Sequence, residues 1–176
     1  QTIQLNGAGN VTFGGPVTFT GNQTNTVNSG TLALNGAVTN TTKLTVDGAS
    51  NSIIAGPVTG AGGLHKLGAG TLTLSGAYTA TGSFQVNAGK AVVAGATTPA
   101  NDILIGEGAG TSGTMDITTG GSVSIPSNWF YVGNNTGDGT LNLTGNGSLN
   151  TRRLLVGRGG TGTITAPDGT TYRLRR

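Results

Sequence analysis

The 176-residue chain carries a formal net charge of +3, no cysteine, 34 glycines and only 9% charged residues. The absence of cysteine excludes a disulfide framework and thiolate chemistry, and no apolar run reaches the ~18 residues that a membrane-spanning helix needs. A glycine-rich chain of modest hydrophobicity is often disordered; here Leu, Val and Ile recur in register, which argues for a fold.

The predicted elements are all strands, and no stretch keeps the three-and-four apolar spacing of a helix. In chain order they are "TIQL" (Thr2, Ile3, Gln4, Leu5), "VTFT" (17–20), "TLAL" (31–34), "KLTV" (43–46), "SIIA" (52–55), "TLTL" (71–74) and "SFQV" (83–86). There follow "ILIG" (103–106), "SVSI" (122–125), "FYVG" (130–133), "TLNL" (140–143), "LLVG" (154–157) and a last strand in "TYRLRR" (171–176). Each is bounded by Gly, Asn, Asp or Ser, the residues of tight turns. A Gly-Thr followed by an alternating strand recurs at 30–34, 70–74, 113–117 and 139–143, with a degraded copy at 162–166.

Strands this short suit a right-handed parallel β-solenoid with glycine-rich turns, in which each coil pairs its backbone with the coils before and after it. Leu in "GTLTL" then points inward, Thr faces solvent, and Gly turns the corner. Two repeat types divide a single domain of residues 1–176. In residues 1–100, "VNSGTLAL" (27–34) is echoed by "VNAGKAVV" (86–93). In residues 101–176, shorter glycine-rich repeats begin at Ile105, Val132 and Val156, at spacings of 27 and 24, the length of one coil. About eight coils at roughly 4.8 Å each give a body of roughly 40 Å.

Residues 56–95 resemble the autotransporter-associated β-strand repeat, also called the passenger-associated transport repeat. The resemblance rests on "GAGGL" (60–64), Lys66, "GAGTLTLSG" (68–76), "YTATG" (78–82) and "VNAG" (86–89). The region from Asp102 onward is more weakly similar to a related glycine-rich repeat. The resemblance implies a secreted, surface-displayed β-helix of bacterial type, and it carries no catalytic residues with it.

Candidate sites are few. His65 is the lone histidine and falls on the outer face without a carboxylate neighbour in sequence. The glycine runs lack the Gly-Lys-Ser/Thr ending of a phosphate loop and the Gly-Gly-x-Gly-x-Asp period of calcium repeats. Paired carboxylates of a polysaccharide-cleaving helix would need Asp102 with Glu107, or Asp116 with Asp138, on successive coils. In "NWFY" (128–131), Trp129 and Tyr131 share one face and offer a sugar-stacking platform, with Phe130 turned the other way; core filling by these rings is the competing reading. Charge is uneven: residues 1–150 hold three Lys and five acids, whereas 151–176 hold six Arg and one Asp.

No cap is legible beyond either end, and uncapped strand edges template association. The expectation is therefore a non-enzymatic extracellular protein, free of cofactor and metal, that stacks head to tail into a fibre or matrix. The expected contact joins Thr2, Ile3, Gln4 and Leu5 to Tyr172, Arg173, Leu174 and Arg175. The alternative is a passenger segment that binds cell-surface or matrix polysaccharide through Trp129 and Tyr131. Nucleic acid is not an expected partner.

Overall fold

The computed structural model describes residues 2–166 and the strand Tyr172–Leu174. Among the described residues every regular element is a strand. Each strand pairs in parallel with its counterparts one coil away, so the chain winds as a β-solenoid with three strands per coil.

The first face begins with Thr2–Leu5, Gln23–Val27, Leu44–Asp47, Leu64–Lys66, Phe84–Val86 and Ile103–Glu107. The second face stacks eight strands, from Val11–Phe13 through Thr71–Leu74 to Thr161–Thr165, joined by seven pairings. The third face runs from Val17–Phe19, Val38–Asn40 and Val58–Thr59, through single bridges at Tyr78, to Ala96–Thr97. Tyr172–Leu174 closes that face by pairing with Leu149–Thr151.

Alternation sets which residues form the core. On the second face Phe13, Leu34, Ile54, Leu74, Val93, Ile117 and Leu143 lie in one register column. All but Phe13 are at most 2% exposed. The Thr, Asn and Asp residues between them face outward. Inward columns of branched apolar residues, each covered above and below by its own kind, are what makes such short strands stable here.

Coil length changes along the axis. The register steps on the second face from Leu32 to Ser52, Leu72 and Ala91, so the echo between the two halves of the 1–100 region spans three coils. On the first face Ile105, Val132 and Val156 fall in one column, so each of the two second-half spacings is a single coil. The first-half repeat is thus three coils of 19 to 20 residues, and the second-half repeat is one coil of 24 to 27. Most of the extra length goes into the corner between the first and second faces: the step from Leu64 to Leu72 is eight residues, that from Ile103 to Met115 twelve. At the corner between the third and first faces Ser122–Asn134 and Ser148–Arg158 run on as strands of 13 and 11 residues across both faces. Their register slips between Ile125 and Trp129: Pro126, Ser127 and Asn128 on the earlier strand oppose Arg152 alone on the later one, a bulge that bends the chain outward.

One column of corner glycines fixes the turn after the first face in these longer coils. Gly106, Gly133 and Gly157 take φ of 67°, 72° and 69°, a region costly to residues with a Cβ. At Gly133 an added Cβ would also meet the Thr161 carbonyl oxygen at 2.1 Å. Gly133→Ala should therefore cost about 2 kcal/mol or more and lower the thermal midpoint by roughly 5 °C. Gly21→Ala, where a Cβ meets nothing within 4 Å, should leave the midpoint unchanged. Equal midpoints in a melting series would contradict the stacked-corner account.

Candidate functional site

The bulge and the two long strands bring the chemistry-bearing side chains of the second half onto the outer first face. Because coils are in register, Asp102, Trp129 and Arg153 form one outer column, and Leu104, Tyr131 and Leu155 the next. Phe130 points the other way and is fully buried. The Trp129 and Tyr131 rings lie 5.8 Å apart at 36°. The Arg153 guanidinium sits 4.9 Å over the Trp129 ring and that of Arg158 6.0 Å over Tyr131, both within cation–π range. Trp129 is half-buried, while Tyr131 keeps only 8% of its surface. The predicted aromatic pair is thus on one face, but its rings already carry arginines.

The acids of this face are engaged. An Asp102 carboxylate oxygen accepts the Trp129 backbone N–H at 2.9 Å. Glu107 accepts hydrogen bonds from the side-chain amides of Asn134 (2.6 Å) and Asn135 (2.5 Å). Burial, with the Asp102 charge next, pushes the Tyr131 hydroxyl above its ordinary pKa. Arg152, Arg153 and Arg158 are exposed; among the described residues the ion pair formed is Lys90 with Asp116 at 2.8 Å, and none of these arginines joins one. Beside the bulge a shallow groove of ≈ 430 Å³ runs along Pro99, Ala100, Ile125, Pro126 and Asn128. The sequence reading missed Arg153 and Arg158 as members of this site. The signal was present in the second spacing, from Val132 to Val156, which also carries Trp129 to Arg153 and Asn134 to Arg158.

The carboxylate pairs considered from sequence do not align. Asp102 and Glu107 lie in the same coil, Asp116 faces Asn142, and Asp138 faces Ser112. Asp138 comes before Asn142, the residue that one full coil sets beside Asp116, so the two acids fall out of register. No group of three or more His, Asp or Glu positioned for a metal occurs among the described residues. His65 faces outward between Thr45 and Gln85; burial and then the nearby Lys43 charge lower its pKa.

The residues expected to mediate self-association lie on two faces: Thr2, Ile3, Gln4 and Leu5 open the first, and Tyr172, Arg173 and Leu174 close the third. Arg175 lies outside the described residues. Among the described residues no helix is long and apolar enough to cross a membrane.

Lys66 is the unexpected core residue. It occupies the inward position between Val46 and Val86 and is 1% exposed. Its ammonium donates to the carbonyls of Leu67 and, at 2.8 Å, Gly68. A buried cation survives only with such partners. Burial, partly offset by Asp47, lowers its pKa from 10.5 to about 8.

The passenger-associated-transport-repeat family matches the chain at residues 64–90. The match opens on the first-face strand of the fourth coil and ends just inside the second face of the fifth, so the repeat is one coil plus its closing corner. Lys66 lies within it. No curated protein and no solved structure matches the chain.

Lys66→Met would keep the side chain inside but leave two corner carbonyls without a donor, a loss of about 1–3 kcal/mol. The folded pKa lies below the unfolded one, so between pH 8 and 10.5 the unfolded chain binds more protons. Wild-type stability should therefore climb with pH across that window, and the Met variant should lose the climb. Chemical denaturation at the two ends of that window measures both slopes; parallel slopes would show that Lys66 is not the titrating group.

Proposed function

We propose that the chain is a structural segment of a secreted, surface-displayed bacterial protein, a passenger-type β-solenoid whose coils stack end to end with those of further copies to build a fibre or matrix. The passenger-type repeat supports the secreted setting, and the fold supports a rod rather than an enclosed active site. The observation that carries the stacking is at the two described end coils. Val11 and Phe13 head inward columns and are 37% and 38% exposed; Val156 ends another and is 46% exposed. Ile3, Leu5, Leu154 and Ile164 are only partly covered. Each described coil joins its neighbour through parallel strand edges, and such edges accept further strands.

In this reading the ladders continue strand by strand from one copy into the next. Ile3 of the next copy falls over Val156 of the preceding one, and its Val11 over Ile164, since these pairs share columns. Tyr172–Leu174 then takes the next copy's Val17–Phe19, which opens its column. The first strand and the last strand both lie at the junction, on neighbouring faces rather than against each other. The contact is heterologous and does not close.

Val11→Asp and Val156→Asp each place a charge at a position already more than a third exposed, so the monomer should stay folded. Electron microscopy and sedimentation of the wild type should show filaments with an axial repeat near the solenoid length. Each Asp variant should give short rods. Wild-type rods that stay monodisperse at high concentration, or Asp variants that still form filaments, would refute end-to-end assembly.

A further inference from the structure

We propose that the outer first face of the last three coils is a binding site for an acidic polysaccharide, with Arg153 and Arg158 holding carboxylate groups and the Trp129–Tyr131 pair supporting the sugar rings between them. The proposal stands apart from end-to-end assembly, because these side chains face sideways from the rod.

Three observations carry it. First, the arginines are pre-oriented. Each guanidinium lies over an aromatic ring, at 4.9 and 6.0 Å. A guanidinium attracted to a ring keeps N–H donors that can fork a carboxylate. Secondly, they are unpaired: among the described residues neither forms an ion pair, while Asp102 and Glu107 are held by the Trp129 N–H and by Asn134 and Asn135. The charge complement is therefore left to a ligand. Thirdly, Arg153 and Arg158 lie over neighbouring rings whose centroids are 5.8 Å apart, so the two cations offer adjacent anchors to one extended ligand.

The aromatic rings alone favour a neutral sugar. Tyr131 is too covered for that, at 8% exposure, and the arginines lie over the rings. The same elements also stack nucleobases. However, Asp102 shares a column with Arg153, and Glu107 sits two coils below Arg158. A polyphosphate with a charge on every residue would meet these carboxylates, whereas a saccharide can present its acids only where the arginines are.

Calorimetric titration of the intact chain with a hyaluronan oligosaccharide, whose carboxylates fall on alternate residues, against a neutral gluco-oligosaccharide of equal length and a single-stranded oligonucleotide, tests the site. The acidic sugar should bind about tenfold tighter than either control, with affinity falling as salt rises. The double substitution R153Q/R158Q should cost about tenfold or more, and Arg153→Lys several-fold, because Lys keeps the charge but loses the fork. Arg152→Gln removes the same charge from the bulge and should leave binding unchanged. All these arginines are exposed, so melting curves should stay superimposable. The proposal fails if the acidic sugar does not bind, if the neutral sugar or the oligonucleotide binds as well, or if Arg152→Gln costs as much as Arg153→Gln.

Discussion

Nearly every feature of this molecule depends on the parallel hydrogen-bonded register between a residue and its counterpart one coil away. Hydrogen bonds such as Leu44 N–H to Gly63 O and Phe84 N–H to Asp102 O each cross from one coil to the next, and the side chains are carried into columns as a consequence. A column is satisfied only if its members agree. Leu44, Leu64, Phe84, Ile103 and Phe130 agree and are fully buried. The same rule explains the glycines, since a corner that stacks directly on the previous corner leaves no space for a Cβ. It also explains why the described end coils expose Val11, Phe13 and Val156: an inward position is inward only when a neighbouring coil covers it.

The polar exceptions show what the register tolerates. Gln23 and Asn25 occupy inward positions of the second coil and are 3% and 1% exposed. They satisfy each other, with the Gln23 amide donating to Asn25 Oδ1 at 2.8 Å. Asn40 spends its amide on the Gly63 carbonyl at 3.0 Å. Lys66 goes further by folding its ammonium onto the corner that follows it. In each case the partner is one or two positions away or one coil away, because a solenoid core is only one side-chain layer deep in any direction. Polar groups placed there have only backbone or near neighbours to turn to, and among the described residues Ser52 Oγ, the Tyr78 hydroxyl and Thr97 Oγ1 are buried without a hydrogen-bond partner.

The fold was legible because it is periodic. Alternation in "GTLTL" and the steps from Ile105 to Val132 and Val156 are statements about single columns, and the structure keeps them. The coil length of the first half was not legible in the same way. Its copies differ, so the one clear echo skipped two coils and ran three units together as one. The core role of Lys66 was hidden because alternation predicts direction but not whether a long polar stem will bend to a corner. The aromatic pair at Trp129 and Tyr131 was readable from alternation within one strand. Arg153 and Arg158 were not, because they join it across coils, and only the step that carries Val132 to Val156 names them.

The site sits where the chain runs on as one strand from the third face to the first. In the short coils of the first half, three tight corners leave outward positions occupied by Thr, Ser and Asn, which serve the strand and little else. From Ile103 onward the coil gains residues, mostly at the corner between the first and second faces, while at the corner between the third and first faces the strands run on and a bulge forms at Pro126–Asn128. That is where the tryptophan, the buried tyrosine and the stacked arginines lie. Inward columns are constrained by every neighbouring coil, so a polar residue there can turn only to a corner or a near neighbour, as Lys66 does, and outer columns carry most of the variation in chemistry.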